Sequence, residues 1–158
     1  MTQEEKDLLV KDLCSRLPYG VMCDVGDNKP YTLSRIEIDD KNGHLLDFKE
    51  KKDGLDMQVY LSECRPYLLP LSSMTEEQKE ELFKFCDFYT QEDWEGKKSE
   101  VYGIEIASRS DPLYCYDHNF YIWGVDTRAI DWLNKNHFDY HDLIDKNLAI
   151  DCTNLNIY

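Results

Sequence analysis

Two of the four histidines fall in one short stretch, Asn136-His137-Phe138-Asp139-Tyr140-His141-Asp142. If that stretch is helical, His137 and His141 share a face, the spacing at which two imidazoles chelate one ion. Two ligands do not complete a zinc or non-haem iron centre, and Cys115, Asp117, His118 and Cys152 are the residues that would have to supply a third. The structural alternative is a loop-to-helix junction with Asp139 as N-cap and His141 exposed. Carboxylates for acid-base work are plentiful but badly placed. Asp39-Asp40 and Glu80-Glu81 are adjacent in sequence, so on a strand or helix they point different ways. Glu4-Glu5 and Glu76-Glu77 belong to helix first turns, where the macrodipole accounts for them.

No Gly-x-Ser-x-Gly, no Gly-x-x-x-x-Gly-Lys and no His-Glu-x-x-His occurs, so nucleophile elbow, phosphate loop and zincin chemistry have no sequence support. No catalytic residue, cofactor or metal site is assigned on this basis. A metal-assisted hydrolase using the His137/His141 pair stands only as an alternative. The aromatics point elsewhere. Tyr114, Tyr116, Phe120, Tyr121 and Trp123 lie close together, followed by Trp132, Phe138 and Tyr140. Most of them are expected in the core, and the remainder would make a partner surface, since Tyr and Trp dominate interaction hot spots. Trp123, Trp132, His137, Phe138, Tyr140 and His141 are the residues expected to line it.

The elements that must position these groups belong to a chain of 158 residues with 18 basic and 32 acidic side chains, a net charge of -14. That surface repels phosphate backbones and anionic headgroups, so direct nucleic-acid or membrane binding is not expected. The acidity is not a tail: residues 1–79 carry 16 acidic and 11 basic groups, residues 80–158 carry 16 and 7. With 11 Tyr, 6 Phe and 3 Trp, the chain has enough large apolar side chains to fold. The first residues, Met1 to Asp7, are acidic where a secretory leader is basic and then apolar, so a cytoplasmic protein is expected. The cysteines at 14, 23, 64, 86, 115 and 152 form no Cys-x-x-Cys pair and are expected to be reduced core residues.

Along the chain, Thr2 with Glu5 has capping-box spacing, and Leu8, Leu9, Leu13 and Leu17 follow at helical intervals, predicting a helix over Gln3–Arg16 ended by Pro18. Short strands are predicted over 19–25, 30–39, 45–48 and 57–61, with Asn42-Gly43 as a hairpin turn. Arg65 to Leu71, with Pro66 and Pro70, is predicted to be extended. Thr75 with Gln78 predicts a second helix whose apolar face is Leu82, Phe83, Cys86 and Tyr89. Residues 91–99 read as a polar loop holding Trp94, Val101, 103–107 and 119–123 as strand segments, and Asp126 as the cap of a third helix. A last helix is predicted over Tyr140–Asn147, with 151–158 along a sheet edge. This order gives an α+β fold, one domain over 1–158, with a mostly antiparallel sheet of meander plus hairpin and three to four helices. A boundary within 90–99 is the conceivable exception.

Three phrases carry a resemblance: Pro70 to Leu82 (PLSSMTEEQKEEL), Ala129 to Tyr140 (AIDWLNKNHFDY) and Leu155 to Tyr158 (LNIY). In these the chain resembles a family of small acidic proteins of gut-bacterial phages and mobile elements. The resemblance covers most of the chain, brings no catalytic motif and implies a bacterial or phage cytoplasmic setting. The function expected is that of a non-catalytic accessory or regulatory protein, binding another protein of unknown identity through an acidic, aromatic-containing surface. The alternative of a different kind is an acidic nucleic-acid mimic that inhibits a DNA-binding or defence enzyme.

Overall fold

The computed structural model describes residues 1–39, 43–49, 56–85, 87–92, 98–103 and 127–158. In chain order the elements are α1 (Gln3–Arg16), β1 (Met22–Asp24), β2 (Tyr31–Glu37), β3 (Leu45–Lys49), β4 (Asp56–Tyr60), β5 (Arg65–Pro70), α2 (Glu76–Phe83), β6 (Asp87–Glu92), β7 (Lys98–Gly103), α3 (Thr127–Lys135), β8 (Phe138–Asp139) and β9 (Ile150–Asp151). The fold is α+β with a mostly antiparallel sheet, as expected. It divides into two compact units, residues 1–70 with 137–158, and residues 71–136.

The first unit holds a seven-stranded sheet in which β4, β3, β2, β1, β5 and β8 follow one another, with β9 also paired to β5. Only the β8 and β9 pairings with β5 are parallel. Register places Leu33, Phe48 and Met57 in one cross-strand row and Ile36, Leu46 and Val59 in another. This face packs in a single core with Leu9 and Leu13 of α1 and with Leu143, Leu148 and Ala149. Cys23 and Cys64 lie in the same core. Burial, with the Cys64 thiol beside it, pushes the Cys23 thiol far up, so it behaves as the small apolar residue expected. Cys152 is also buried, whereas Cys14 is exposed.

Helix α1 starts where its capping chemistry requires. The Glu5 N–H donates to Thr2 Oγ1 at 3.2 Å and the Thr2 N–H donates to Glu5 Oε2 at 2.6 Å, so two otherwise orphaned donors are satisfied reciprocally. Its end is set by Pro18, which sits in the 3-10 turn Leu17–Tyr19, and by Gly20 in the left-handed region at φ 68°. Thr2→Ala should cost about 1 kcal/mol of stability in urea unfolding, with the Glu5 amide losing exchange protection before the Leu13 amide does.

Two predicted helical assignments are corrected. Tyr89 lies in β6, not on α2. Residues 140 and 141 form a bend and residues 143–147 form turns, with Asp142 and Asn147 left-handed at φ 55° and 57°. The reason is local: the Asp139 carboxylate accepts from the N–H groups of His141, Leu143 and Ile144 at 3.2, 3.0 and 2.8 Å. A side chain that takes three consecutive-turn donors replaces the regular ladder. Asp139 is therefore a cap as predicted, but of a turn.

The second unit contains α2 and α3, which pack together, and the antiparallel β6–β7 hairpin. Met74, Leu82, Ala129 and Leu133 are buried. The Thr75 capping box is present, with Gln78 N–H to Thr75 Oγ1 at 3.2 Å and Thr75 N–H to Gln78 Oε1 at 2.9 Å. No helix among the described residues is long and apolar enough to cross a membrane. Asn42, Cys86, Trp94, Cys115, Asp117, His118, Trp123, Asp126 and the expected strand over 119–123 lie outside the described residues, as do residues 104–107.

Candidate functional site

The groups best suited to chemistry meet at one end of α1. Its buried stripe is Leu9, Asp12, Leu13 and Arg16, an i, i+3, i+4, i+7 pattern in which two members are charged. Both ionic side chains are wholly buried. Arg16 Nε donates to Asp12 Oδ2 at 2.7 Å and Nη2 donates to Oδ1 at 2.9 Å, a bidentate fork. Nη2 also donates to the Phe138 carbonyl at 2.8 Å, and the guanidinium carbon lies 5.2 Å from the centroid of the Tyr140 ring, a cation-π distance.

His141 joins on the carboxylate oxygen that Arg16 Nη2 also uses, with Nδ1 3.0 Å from Asp12 Oδ1. Burial pushes the Asp12 pKa up, but the His141 hydrogen bond and the charge and hydrogen bonds of Arg16 outweigh it, so the carboxyl is held below 3.8. An ionised acceptor makes Nδ1 the protonated nitrogen of the His141 ring. A carboxylate-backed imidazole is the form of an acid-base pair. Here, however, the same carboxylate is already held by the Arg16 fork. The geometry is that of a brace between α1 and the 137–141 segment.

His137 has a different role. It adopts a left-handed φ of 59° immediately before β8, and its carbonyl accepts from the Leu69 N–H at 2.9 Å. Its ring stacks on Tyr158 with centroids 3.8 Å apart and planes 8° from parallel. Nδ1 is buried without a hydrogen-bond partner, as is Arg16 Nη1. Burial, followed by the positive charge of Arg16, pushes the His137 pKa down to about 4, so the ring is neutral at pH 7. The Tyr158 hydroxyl in turn accepts from the Met22 N–H at 3.2 Å and donates to the Tyr67 carbonyl at 2.8 Å. Burial raises its pKa strongly.

The histidine pair thus does not form the predicted chelating face. Between His137 and His141 the chain runs through β8 and a bend, and the two rings take different partners, Tyr158 and Asp12. Among the described residues no three His, Cys, Asp or Glu side chains are grouped so as to hold a metal ion.

The expected partner surface is corrected as well. His137, Phe138 and Tyr140 are buried and His141 is nearly so, because Arg16, Asp12 and Tyr158 draw that segment inward. Trp132 belongs to the other unit, on α3, where it is half-buried and its indole Nε1–H donates to Glu81 Oε2 at 3.3 Å. Asp12, Arg16 and Tyr158 are the site residues that sequence reasoning missed. An Asp and an Arg four apart inside an apolar stripe were the available signal. No protein-family model, curated protein or solved structure matches the chain.

Proposed function

We propose that the chain is a non-catalytic accessory or regulatory protein of a bacterium or phage, binding another protein through an acidic surface on α2 and α3 centred on Trp132. The observation that carries this reading is the Trp132 to Glu81 hydrogen bond. It holds a half-buried indole beside a helix that also exposes Glu76, Glu77 and Glu80. The carboxylates are on α2, while Lys84, Arg128 and Lys135 are exposed nearby, and an aromatic anchor beside a row of charges has the composition of an interaction hot spot. The partner surface that fits is basic with an apolar pocket.

Capture from host lysate, compared between the native chain and Trp132→Ala, tests this reading. The native chain should retain a specific protein that Trp132→Ala loses by at least about tenfold, the usual effect of truncating a hot-spot aromatic. Equal retention by Trp132→Ala, or loss only through unfolding of that variant, would overturn it. A partner released steeply between low and moderate salt, and competed by duplex DNA, would move the reading to the nucleic-acid mimic.

A further inference from the structure

The β1/β5 ladder contains an inserted group. These strands pair as Asp24↔Arg65 and Cys23↔Pro66, and the next rung would set Met22 opposite Tyr67. At that rung the Met22 N–H and the Tyr67 carbonyl both bond the Tyr158 phenol oxygen, which accepts from the former at 3.2 Å and donates to the latter at 2.8 Å. A phenol offers one donor and an acceptor, and the slot presents the complement of both. The His137 ring lies flat against the phenol ring at 3.8 Å, and the buried Met22, Tyr67 and Cys152 form a small apolar cluster beside it.

Tyr158 fills this slot head first. Its hydroxyl is enclosed, yet the residue as a whole is 47% exposed. The connecting residues 153–156 are exposed, Ile157 is half-buried against the Met22, Tyr67 and Cys152 cluster, and the Leu155 and Ile157 amides bond within the segment, to the Cys152 and Leu155 carbonyls. A ring held by its polar end and joined to the fold by an exposed connector has the arrangement of a ligand on a tether.

We propose that the slot formed by Met22, Tyr67 and His137 is a recognition site for a para-substituted phenol, in nature the tyrosine side chain of a peptide, and that Tyr158 occupies it as a tethered ligand. The hydroxyl is what the slot selects, because a ring without it leaves a buried N–H and C=O unpaired. Tethering keeps Tyr158 at an effective concentration on the order of millimolar, so a tyrosine from another chain binds only when Tyr158 is withdrawn.

Tyr158→Ala with 4-methylphenol as the probe and toluene as the hydroxyl-free control tests the assignment. Millimolar 4-methylphenol should raise the thermal midpoint of Tyr158→Ala saturably by several degrees, toluene should raise it by less than half as much, and neither should raise that of the native chain, whose slot is filled. No saturable shift in a folded Tyr158→Ala, an equal shift with toluene, or the same shift in the native chain would overturn the proposal. Should Tyr158→Ala fail to fold, Tyr158→Phe retains the ring and removes only the hydroxyl. In that variant the Met22 amide should exchange with deuterium about tenfold faster, as expected for one lost hydrogen bond, while the Leu69 amide on the other side of His137 stays protected. Unchanged Met22 exchange in Tyr158→Phe would equally overturn it.

Discussion

Asp12→Ala is expected to lower the stability of the unit formed by residues 1–70 and 137–158 by about 3–5 kcal/mol, the usual cost of removing one partner from a buried ion pair. The size follows from what would be left behind. Arg16 is wholly buried, and without Asp12 its remaining partners are the Phe138 carbonyl and the Tyr140 ring. Nη1 already lacks a hydrogen-bond partner. His141 Nδ1 would lose its acceptor at the same time. A domain of this size has about 5–10 kcal/mol in total, so the variant should be close to unfolding at 37 °C. The double variant Asp12→Leu/Arg16→Met should recover more than half of the loss, since a buried pair exchanged for apolar groups of similar volume is often neutral. Urea unfolding at pH 7.5, followed by circular dichroism, checks both variants. If Asp12→Ala cost under 1 kcal/mol, as a solvated pair would, the brace would not be holding the unit together.

That pair also marks the limit of what the chain shows before folding. The ends of α1 are legible because Thr2, Glu5 and Pro18 act within a few residues of themselves, and the start of α2 is legible through Thr75 and Gln78 for the same reason. The orientation of α1 is not. Leu8, Leu9, Leu13 and Leu17 define an apolar face, but the buried stripe is rotated to Leu9, Asp12, Leu13 and Arg16. An Asp four residues before an Arg is ordinarily a solvated pair. What buries this one is the Phe138 carbonyl and His141, which lie 122 residues from Arg16 and 129 residues from Asp12. The same contacts withdraw His137, Phe138 and Tyr140 from the surface, which is why an aromatic-rich segment that looks like an interface is interior. The turn over 140–147 escapes the helical pattern because a single carboxylate, Asp139, captures donors that a helix would have used.

His137 should make the unit acid-sensitive well above the range where carboxylates titrate. Its pKa falls from 6.5 to about 4 on folding, through burial and then the nearby Arg16 charge. Between these values the unfolded chain binds a proton that the folded chain refuses, so stability falls as pH drops through the window and is fully present above 6.5. A shift of this size corresponds to about 3 kcal/mol at 1.36 kcal/mol per pH unit, and about 2 kcal/mol once partial solvent access to the ring is allowed for. Asp12, held below 3.8 by His141 and Arg16 against its burial, stays ionised across the window and does not account for the loss. His137→Asn removes the titration while tolerating the left-handed backbone at φ 59°, since Asn enters that region more readily than other non-glycine residues. The variant will be less stable at pH 7.5, because it loses the stack on Tyr158, but its urea midpoint should decline less between pH 7 and 4.5 than that of the native chain. Parallel declines in the two proteins would mean that another group titrates, and that the His137 ring is protonated in the folded state without opening the Tyr158 stack.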